Sequence, residues 1–292
     1  MSPQGRPEGE YRSAQHEGNP VTPQGPKSEY AIAAQQDSSA SGTLLLVPNT
    51  LDLGAAEVDL QDVLPLAVIR RAAGLRYWAA EDARSTRAFL KRVDAIVPLG
   101  VPLQTLDIRE LPRPRKGSRE AIPAQEWHAL LAPALQGHDL GLISEAGLPA
   151  VADPGAALVA AAHAASVPVL PLAGASSLLL ALAASGLNGQ SFAFVGYLPQ
   201  ESAARLARIR ELEGMSRRLA QAQLLIETPY RNGAMLAALL EALAPTTRLS
   251  VSCGLTLPSG WSRSEAVAQW RARGVGVVMP DRVPAVFVFA AG

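Results

Sequence analysis

The sequence contains a single cysteine, only four histidines and no excess of charge of either sign. One cysteine, Cys253, cannot form an internal disulfide, and the histidines lack the spacing of metal ligands, so a structural zinc site is disfavoured. The 26 basic residues balance the 26 acidic ones, which excludes binding to nucleic acid by bulk charge but leaves room for a local basic patch. The first residues lack the basic and then apolar pattern of a signal peptide, so we expect a cytoplasmic protein.

Large apolar residues are missing from the start of the chain. Residues 1–42 contain no Leu, Phe or Trp, but they contain five prolines and five glycines. Such a segment cannot bury enough apolar surface to offset its conformational entropy, so we predict a disordered tail. The tail has three basic and five acidic residues, and the remaining residues therefore carry a small excess of positive charge.

Three common motifs of nucleotide-binding proteins and hydrolases are also absent. Pro48–Gly54 follows the first apolar run, where a dinucleotide-binding domain has Gly-x-Gly-x-x-Gly. The sequence has neither the Gly-x-x-x-x-Gly-Lys-Ser/Thr loop of nucleoside triphosphatases nor the Gly-x-Ser-x-Gly turn of α/β-hydrolases. These absences disfavour all three classes.

From Leu44 onward, short apolar runs alternate with amphipathic stretches, which predicts an α/β fold. We predict two α/β domains, residues 43–172 and 173–292, because Pro171 and Gly174 interrupt the chain there. The predicted strands are Leu44–Val47, Arg76–Ala80, Leu140–Ser144, Val167–Leu170, Phe192–Val195, Gln223–Ile226, Arg248–Ser252 and Ala285–Ala290. The predicted helices are Val68–Ala73, Ala83–Val93, Glu126–Gln136, Ala156–Ala165, Ser176–Ala184, Ala203–Arg218, Arg231–Ala244 and Glu265–Arg273.

One long loop, Ser144–Gly155, follows a predicted buried strand and precedes an alanine-rich helix. Ligands of open α/β sheets bind at the carboxyl ends of strands. Asp153 is a good helix N-cap, and Pro154 suits the first helical position. Free N–H groups at that helix start are able to hold a carboxylate or phosphate. A well-capped helix without a ligand is the equally supported alternative.

Three shorter polar loops also follow predicted strands. Pro171–Ser177 has small residues and two hydroxyls, Ala80–Arg87 has two carboxylates and two guanidinium groups, and Glu227 ends a strand just before Tyr230 and Arg231. Each has a purely structural interpretation, namely a domain hinge, a helix cap with a surface ion pair, and a polar strand end.

Taken together and in this order, these loops resemble the tetrapyrrole methylase family of S-adenosylmethionine-dependent enzymes, in the branch that methylates ribosomal RNA. That branch has Ala-Glu-Asp-x-Arg-x-Thr, Ser-Asp-Ala-Gly-Thr-Pro with Ser-Asp-Pro-Gly, Pro-Leu-Pro-Gly, Gly-Phe/Tyr-Leu-Pro and Tyr-Glu-Ser-Pro-His/Tyr-Arg. The counterparts here are Ala80–Thr86, Ser144–Gly155, Pro171–Gly174, Gly196–Pro199 and Glu227–Arg231.

The resemblance implies two α/β domains with S-adenosylmethionine in the cleft between them, usually in a homodimer. It also implies the residues that contact the cofactor. These are Pro48, Ser144, Glu145, Ala146, Gly147, Gly174, Ala175, Ser176 and Ser177. The substitution Gly174→Val is expected to fill the cleft and abolish cofactor binding while leaving the fold intact.

The sequence departs from the family's pattern at three places. The first loop, Thr-Pro-Ile-Gly-Asn-Leu-Gly-Asp in that branch, is replaced by Pro48–Gly54, and Ala173 replaces a proline. The Arg-Glu-Leu-Thr-Lys pattern is replaced by Cys253–Leu257, which lacks an acid and a lysine. These changes leave the cofactor assignment in place and leave the methyl acceptor open.

Three functions follow from the resemblance. The first is ribose 2′-O-methylation of rRNA, with Glu81, Asp82 and Glu227 as candidate bases. Basic residues that could grip RNA are Arg109, Arg113, Arg115, Lys116, Arg119, Arg205, Arg208, Arg217 and Arg218. A net charge near zero favours solvated surface as the interpretation of these residues. The second is methylation of a tetrapyrrole or another small molecule, which needs fewer acid–base residues. The third is a non-catalytic regulator that binds S-adenosylmethionine. None of these functions requires a metal.

Overall fold

The structure is a computed structural model that describes residues 41–52, 58–113, 122–273, 279–280 and 282–292. All of these residues belong to one compact unit. The predicted disordered tail lies outside the described residues except for residues 41 and 42. Gly42 is buried and donates its N–H to the carbonyl of Ala134 at 2.7 Å, so the packed chain begins earlier than residue 43.

The first sheet has five parallel strands in the order β3-β2-β4-β1-β5. Because every strand runs in the same direction, all the carboxyl ends meet at one edge. The strands are β1 (Leu44–Leu46), β2 (Tyr77–Ala80), β3 (Asp107–Glu110), β4 (Leu140–Ile143) and β5 (Val169–Pro171).

Helices cover both faces of the first sheet, as a parallel sheet requires. These helices are α1 (Leu60–Val63), α2 (Leu66–Gly74), α3 (Ala83–Asp94), α4 (Ala124–Leu130), α5 (Ala132–Leu135) and α6 (Ala156–Ala164), with a 3₁₀ turn at Leu103–Thr105. Helices α2 and α3 bury Ile69 and Leu90 against Trp78 on one face. Helices α4 to α6 pack around Leu131 and Leu158 on the other face.

The second sheet is mixed, with the order β6-β7-β10-β8-β9. Strands β6 and β7 are parallel, and β10 runs antiparallel to both of its neighbours. The strands are β6 (Phe192–Phe194), β7 (Ala222–Ile226), β8 (Arg248–Cys253), β9 (Trp261–Ala266) and β10 (Ala285–Ala290). The helices are α7 (Ser177–Ser185), α8 (Ser202–Leu219), α9 (Asn232–Ala242) and α10 (Val267–Ala272), with a 3₁₀ turn at Pro229–Arg231.

The two faces of the second sheet have separate cores. Helices α8, α9 and α10 pack on one face around Ile209, Leu239 and Trp270. Helix α7 packs on the other face, where Leu182 meets Leu224 and other buried apolar residues.

Two strands, β3 and β9, were not predicted. Both are edge strands that pair on one side only, and their sequences, Asp-Ile-Arg-Glu and Trp-Ser-Arg-Ser-Glu-Ala, lie partly or fully exposed. An edge strand needs no continuous apolar run, so its sequence gives little signal. The short helix α1 was not predicted either.

Two predicted helices differ from the structure. The helix predicted over Glu126–Gln136 is divided into α4 and α5, because Pro133 removes a backbone donor and sits in the first turn of α5. The helix predicted from Glu265 begins at Val267, because Glu265 and Ala266 pair with β8 as part of β9.

All strands of the first sheet end by Pro171, and those of the second begin at Phe192. The division into domains at residues 172 and 173 remains a prediction. Within the described ranges, no helix is long and apolar enough to cross a membrane.

Candidate active site

A cavity of about 230 Å³ lies between the carboxyl-edge loops of the first sheet and loops of the second sheet. The first sheet contributes Leu51, 146–148 and 151–153 to its wall. The part of the chain from residue 176 onward contributes the start of α7 and residues at the ends of β6, β7, β8 and β10. These lining residues are Ser176, Ser177, Leu178, Tyr197, Ile226, Glu227, Thr228, Pro229, Ser252, Gly254, Leu255, Pro284, Ala285 and Val286. We call this cavity the cleft.

Gly147 joins two loops of the first sheet at the wall of the cleft. Its carbonyl accepts the N–H of Asn49 at 2.8 Å, and its own N–H donates to the carbonyl of Thr50 at 3.2 Å. Its φ of 66° lies in the left-handed region that favours glycine. A Cβ atom at this position would lie 3.3 Å from Cδ2 of Leu51, so a larger side chain here must displace a wall residue or enter the cleft.

Two side chains hold the backbone before Gly147 in place. The amide nitrogen of Asn49 donates to the carbonyls of Ser144 and Glu145, at 3.1 and 3.0 Å. A carboxylate oxygen of Glu81 accepts the N–H of Glu145 at 3.0 Å. The predicted catalytic residue Glu81 therefore positions this loop and does not line the cleft.

Asp153 lies in the cleft and does not cap helix α6, which corrects the sequence-based expectation. The helix begins at Ala156, and Gly155 occupies the cap position with a φ of 129°. Ala150 and Ala152 adopt φ values of 66° and 65°, a conformation that is unfavourable for residues with a Cβ. Strained backbone of this kind often marks a functional site. Here it turns the loop so that Asp153 faces the cleft.

Burial and neighbouring carboxylates raise the pKa of Asp153, Glu145 and Tyr197. Burial, and then the charges of Glu81 and Glu145, raise the pKa of Asp153 from 3.8 to about 7. Partial burial and the neighbouring Glu81 and Asp82 raise the pKa of Glu145. Burial, Asp153 and Glu227 raise the pKa of the Tyr197 hydroxyl. Asp153 in the cleft wall, with Glu81 and Glu145 close to it, makes this end of the cleft favourable for a cation.

Glu227 lines the cleft but is already bound within its own segment. One carboxylate oxygen accepts the N–H of Thr228 at 2.7 Å and two guanidinium hydrogens of Arg231, at 2.7 and 3.1 Å. The side chain is 3% exposed. A buried carboxylate that is paired in this way is held in one orientation.

Asp82 is the N-cap of helix α3. Its carboxylate accepts the N–H of Ser85 at 2.6 Å, and this hydrogen bond is the main reason why the pKa of Asp82 is lowered. A carboxylate with a lowered pKa is a weak base, and Asp82 lies outside the cleft wall.

The loops at Pro48 and Gly174 are packed against each other. A Cβ atom at position 174 would lie 2.2 Å from Cβ of Pro48, closer than any real contact between carbon atoms. Both residues therefore fix the approach of two loops outside the cleft wall. The expectation that valine at position 174 leaves the fold intact is wrong, because the first atom of any side chain meets Pro48.

The substitution Gly174→Ala is expected to lower the free energy of unfolding by about 1–3 kcal/mol, because one extra methyl group overpacks this contact. Gly189→Ala is the matched control, since nothing lies within 4 Å of a Cβ atom there. Urea unfolding of both variants measures the difference. Equal stability of the two variants would show that the loops separate at no cost.

The predicted cofactor residues divide into two groups. Ala146, Gly147, Ser176 and Ser177 line the cleft. Outside its wall lie Pro48, Ser144, Glu145, Gly174 and Ala175. The hydroxyl of Ser144 is buried and has no hydrogen-bond partner in the described part of the chain.

Asp153 and Tyr197 are two polar cleft residues to which the sequence analysis assigns no catalytic or binding role. Both stand in loops that carry the family resemblance, so a signal was present. The local pattern favours Asp153 as a helix cap, and the motif Gly196–Pro199 by itself indicates no role for Tyr197.

A second cavity, of about 560 Å³, lies behind the loop at Glu145. It is lined by Asn49, Asp82, Arg84, Ser85, Ala88, Phe89, Arg92 and Glu145. Glu145 therefore faces a different space from its neighbours Ala146 and Gly147.

The basic residues that were predicted to grip RNA are partly engaged elsewhere. Arg109 pairs with Asp107, and Arg208 pairs with Glu211. Arg113 and Arg205 donate to backbone carbonyls, and Arg217 and Arg218 lie in the last turn of α8. Arg115, Lys116 and Arg119 lie outside the described residues. No group of three potential metal ligands is found in the part of the chain that the structure describes.

Curated proteins with similar sequences are ribosomal RNA methyltransferases by name. Ribosomal RNA small subunit methyltransferase I of Micromonospora olivasterospora is 35% identical over 209 residues, which are 72% of this chain and 58% of that protein. The protein of the same name from Halalkalibacterium halodurans is 30% identical over 196 residues, which are 67% of this chain and 58% of that protein. The chain thus spans 58% of the length of each of these relatives. No model of a protein family matches the chain.

A solved structure with a similar fold is that of the methyltransferase CobJ. It covers 86% of this chain and 100% of its own, with a TM-score of 0.52 and 16% sequence identity. Similarity at that level of identity shows a shared fold, and it confirms the predicted α/β architecture. Together with the named relatives, it supports the resemblance to the tetrapyrrole methylase family that the sequence motifs carry.

Proposed function

We propose that the protein is an S-adenosylmethionine-dependent methyltransferase that methylates a ribose 2′-hydroxyl of small-subunit rRNA. The observation that carries the proposal is the cleft itself. Small residues and backbone from both halves line it, Asp153 lies in its wall, and Glu81 and Glu145 stand nearby. The named relatives support the rRNA substrate.

The residues of the cleft fit S-adenosylmethionine. Leu178, Leu148 and Val286 offer apolar surface for an adenine ring, and Ala146 and Gly147 let a ligand approach the backbone closely. The acidic end of the cleft, marked by the raised pKa of Asp153, suits a positively charged sulfonium. When bound, the cofactor supplies a methyl group on a cationic sulfur.

We propose Asp153 as the general base. Its pKa of about 7 lies close to the pH at which a base transfers protons most efficiently. In this role one of its carboxylate oxygens would take the proton of the acceptor hydroxyl, while the methyl group passes from the cofactor's sulfur to the hydroxyl oxygen and S-adenosylhomocysteine leaves. No hydrogen bond between described residues engages its carboxylate.

Each of the three carboxylates predicted as bases already makes a hydrogen bond within the protein. Glu81 holds the N–H of Glu145, and Asp82 caps helix α3. Glu227 is held by Arg231. We propose that Glu227 binds a substrate hydroxyl through its second oxygen, and that Glu81 positions the loop that carries Ala146 and Gly147.

We also propose that the protein acts as a homodimer in the cytoplasm, as the family resemblance implies. Light scattering after size-exclusion chromatography tests the dimer. A mass corresponding to one chain would contradict it.

Isothermal titration with S-adenosylhomocysteine tests the cofactor site. We expect one binding site per chain, and we expect adenosine monophosphate to bind far more weakly, because a phosphate meets the acidic end of the cleft. No heat from S-adenosylhomocysteine, or tighter binding of adenosine monophosphate, would contradict the proposed site.

A further inference from the structure

The outer surface of helices α2 and α3 is the most basic helical layer on the first sheet. The two helices together carry six basic residues and a single acid, Asp94. The basic residues are Arg70, Arg71, Arg84, Arg87, Lys91 and Arg92. All of them except Arg92 are exposed. In a chain with formal net charge zero, this is a strong local concentration of positive charge.

From this surface we infer that α2 and α3 receive the backbone of the RNA substrate. The inference rests on the proposed function, which it extends by naming the surface that binds the substrate. Neither the cleft nor the segments that sequence reasoning singled out for RNA include Arg70, Arg71, Arg87 or Lys91.

The spacing on α3 places three basic side chains along one side of the helix. Arg84, Arg87 and Lys91 are separated by three and four residues, so they lie on the same face. The opposite face buries Phe89 and Leu90 in the core. The basic face is therefore fixed toward solvent by the packing of its apolar side, and it covers about 10 Å of helix length.

The exposed basic side chains of α2 and α3 are not held in ion pairs by described acids, although Asp82 and Glu145 line a cavity together with Arg84. None of the ion pairs found between described residues includes Arg70, Arg71, Arg84, Arg87 or Lys91. Among the hydrogen bonds between described residues, Arg87 donates only to the carbonyl of Ala83 in its own helix, at 3.3 Å. Asp94 accepts the N–H of Leu99 at 2.9 Å. Free guanidinium groups of this kind bind phosphates with two parallel hydrogen bonds.

A cavity marks the amino end of the sheet beside α2. It has a volume of about 480 Å³, and Arg70, Arg71 and Arg76 line it together with Tyr77, His138 and one acid, Asp139. The two rings lie 5.2 Å apart, and the guanidinium of Arg76 lies 5.7 Å from the Tyr77 ring. Aromatic rings beside arginines are a common platform for an unstacked base of single-stranded RNA.

The other end of the surface reaches the proposed catalytic region. Arg84 lines the second cavity together with Asn49 and Glu145. Both of these residues belong to the loops that hold Gly147 at the cleft wall. An RNA strand along α3 therefore ends beside the cleft, which is where an acceptor ribose has to be delivered.

Fluorescence anisotropy with a labelled single-stranded RNA of about 20 nucleotides tests the inference. The test variant is Arg84→Glu/Arg87→Glu/Lys91→Glu. The matched control is Arg210→Glu/Arg248→Glu/Arg263→Glu, which reverses three exposed charges on α8, β8 and β9. We expect the α3 variant to weaken RNA binding about 10- to 100-fold. A plot of log K against the log of the salt concentration should have a slope that is shallower by about 2 than that of the wild type, because three phosphate contacts are lost. The control should bind within threefold of the wild type.

Affinity for S-adenosylhomocysteine is measured on every variant as a test of folding. If the triple Glu variant fails to bind it, Arg84→Gln/Arg87→Gln/Lys91→Gln replaces that variant, with a smaller expected loss of RNA affinity. Equal RNA binding by the α3 variant and the wild type, or an equal loss in the control variant, would overturn the inference.

The proposed function is tested separately on the same proteins. RNA binding that depends on α3, without methyl transfer to rRNA by the wild type, would support this surface and contradict the enzymatic activity. Binding of S-adenosylhomocysteine without RNA binding by the wild type would overturn the surface and the RNA substrate together, and would favour a small-molecule acceptor.

Discussion

Asp153→Asn is expected to lower the rate of methyl transfer about 10²- to 10⁴-fold, the usual contribution of a general base. Affinity for S-adenosylhomocysteine should change only a few-fold, because asparagine keeps the size and shape of the side chain. Single-turnover transfer of labelled methyl to rRNA and calorimetry measure the two quantities. In the wild type, kcat/KM should rise with pH and level off above about pH 7, where Asp153 is ionised in the free enzyme.

Glu145→Gln is the matched control for this variant. Glu145 stands in the same acidic group but faces the second cavity. We expect the control to retain most of the activity. An equal loss of the methyl-transfer rate in both variants would contradict a proton acceptor at position 153. It would mean that the combined negative charge of the carboxylates supports the reaction.

The same carboxylate makes protein stability depend on pH in an unusual direction. The pKa of Asp153 is raised in the folded state, so between about pH 4 and pH 7 the folded protein binds more protons than the unfolded chain. Its contribution to stability is therefore present at low pH and is lost as the pH rises through about 7. Asp153→Asn should be about 1–2 kcal/mol more stable than the wild type at pH 8, less than the full shift implies because solvent screens the charge. The difference should shrink as the pH falls and disappear below about pH 4, where Asp153 is protonated in the unfolded chain as well, as urea unfolding would show.

Gly147→Leu is expected to weaken the binding of S-adenosylhomocysteine by at least about 100-fold, or about 2.7 kcal/mol. A Cβ at this position already lies 3.3 Å from Leu51. The larger side chain has to enter the cleft or separate the loops that Gly147 joins by two hydrogen bonds to Asn49 and Thr50. Isothermal titration calorimetry measures the loss.

Gly186→Leu separates this effect from backbone strain. Gly186 has a φ of 65°, almost the same as Gly147, but it ends helix α7 and has no atom within 4 Å of a Cβ position. Both variants carry the cost of a left-handed residue with a side chain, about 1–2 kcal/mol. Only Gly147→Leu should lose the ligand. Similar affinities in the two variants would place the cofactor elsewhere.

The sequence indicates the fold well wherever burial determines the pattern. Interior strands such as Leu140–Ile143 and Ala285–Ala290 are continuous apolar runs, because both faces of each strand are covered. Strands β3 and β9 escape prediction because pairing on one side leaves their side chains exposed. Their positions depend on the neighbouring strand, and that information is not local.

The candidate site is predictable at the level of loops and less so at the level of side chains. Asp153 satisfies the local rule for a helix cap, yet the helix begins three residues later, after Gly155 turns the chain at a φ of 129°. Gly174 shows the same limit. A glycine is needed at this position because Pro48 lies too close for a side chain, and not because the residue lines the cleft. Both outcomes depend on contacts between loops that are distant in sequence.

The sequence does not reveal the basic surface, because the order of charges along the chain does not show which helices pack side by side. Arg70, Arg71 and Arg84 are separated by a strand, and only the packing of α2 beside α3 on one face of the sheet brings their helices together. Arg109 and Arg208, which the sequence did favour, lie next to acids that pair with them.

One measurement tests the central claim most directly. The wild-type protein is incubated with small-subunit rRNA and S-adenosylmethionine that carries a deuterated methyl group, and the RNA is digested to nucleosides for mass spectrometry. The account predicts a deuterated methyl group on the ribose of one nucleoside, and its loss in Asp153→Asn. A label on a base atom would contradict ribose methylation. No label in the RNA, from protein that binds S-adenosylhomocysteine, would contradict the rRNA substrate.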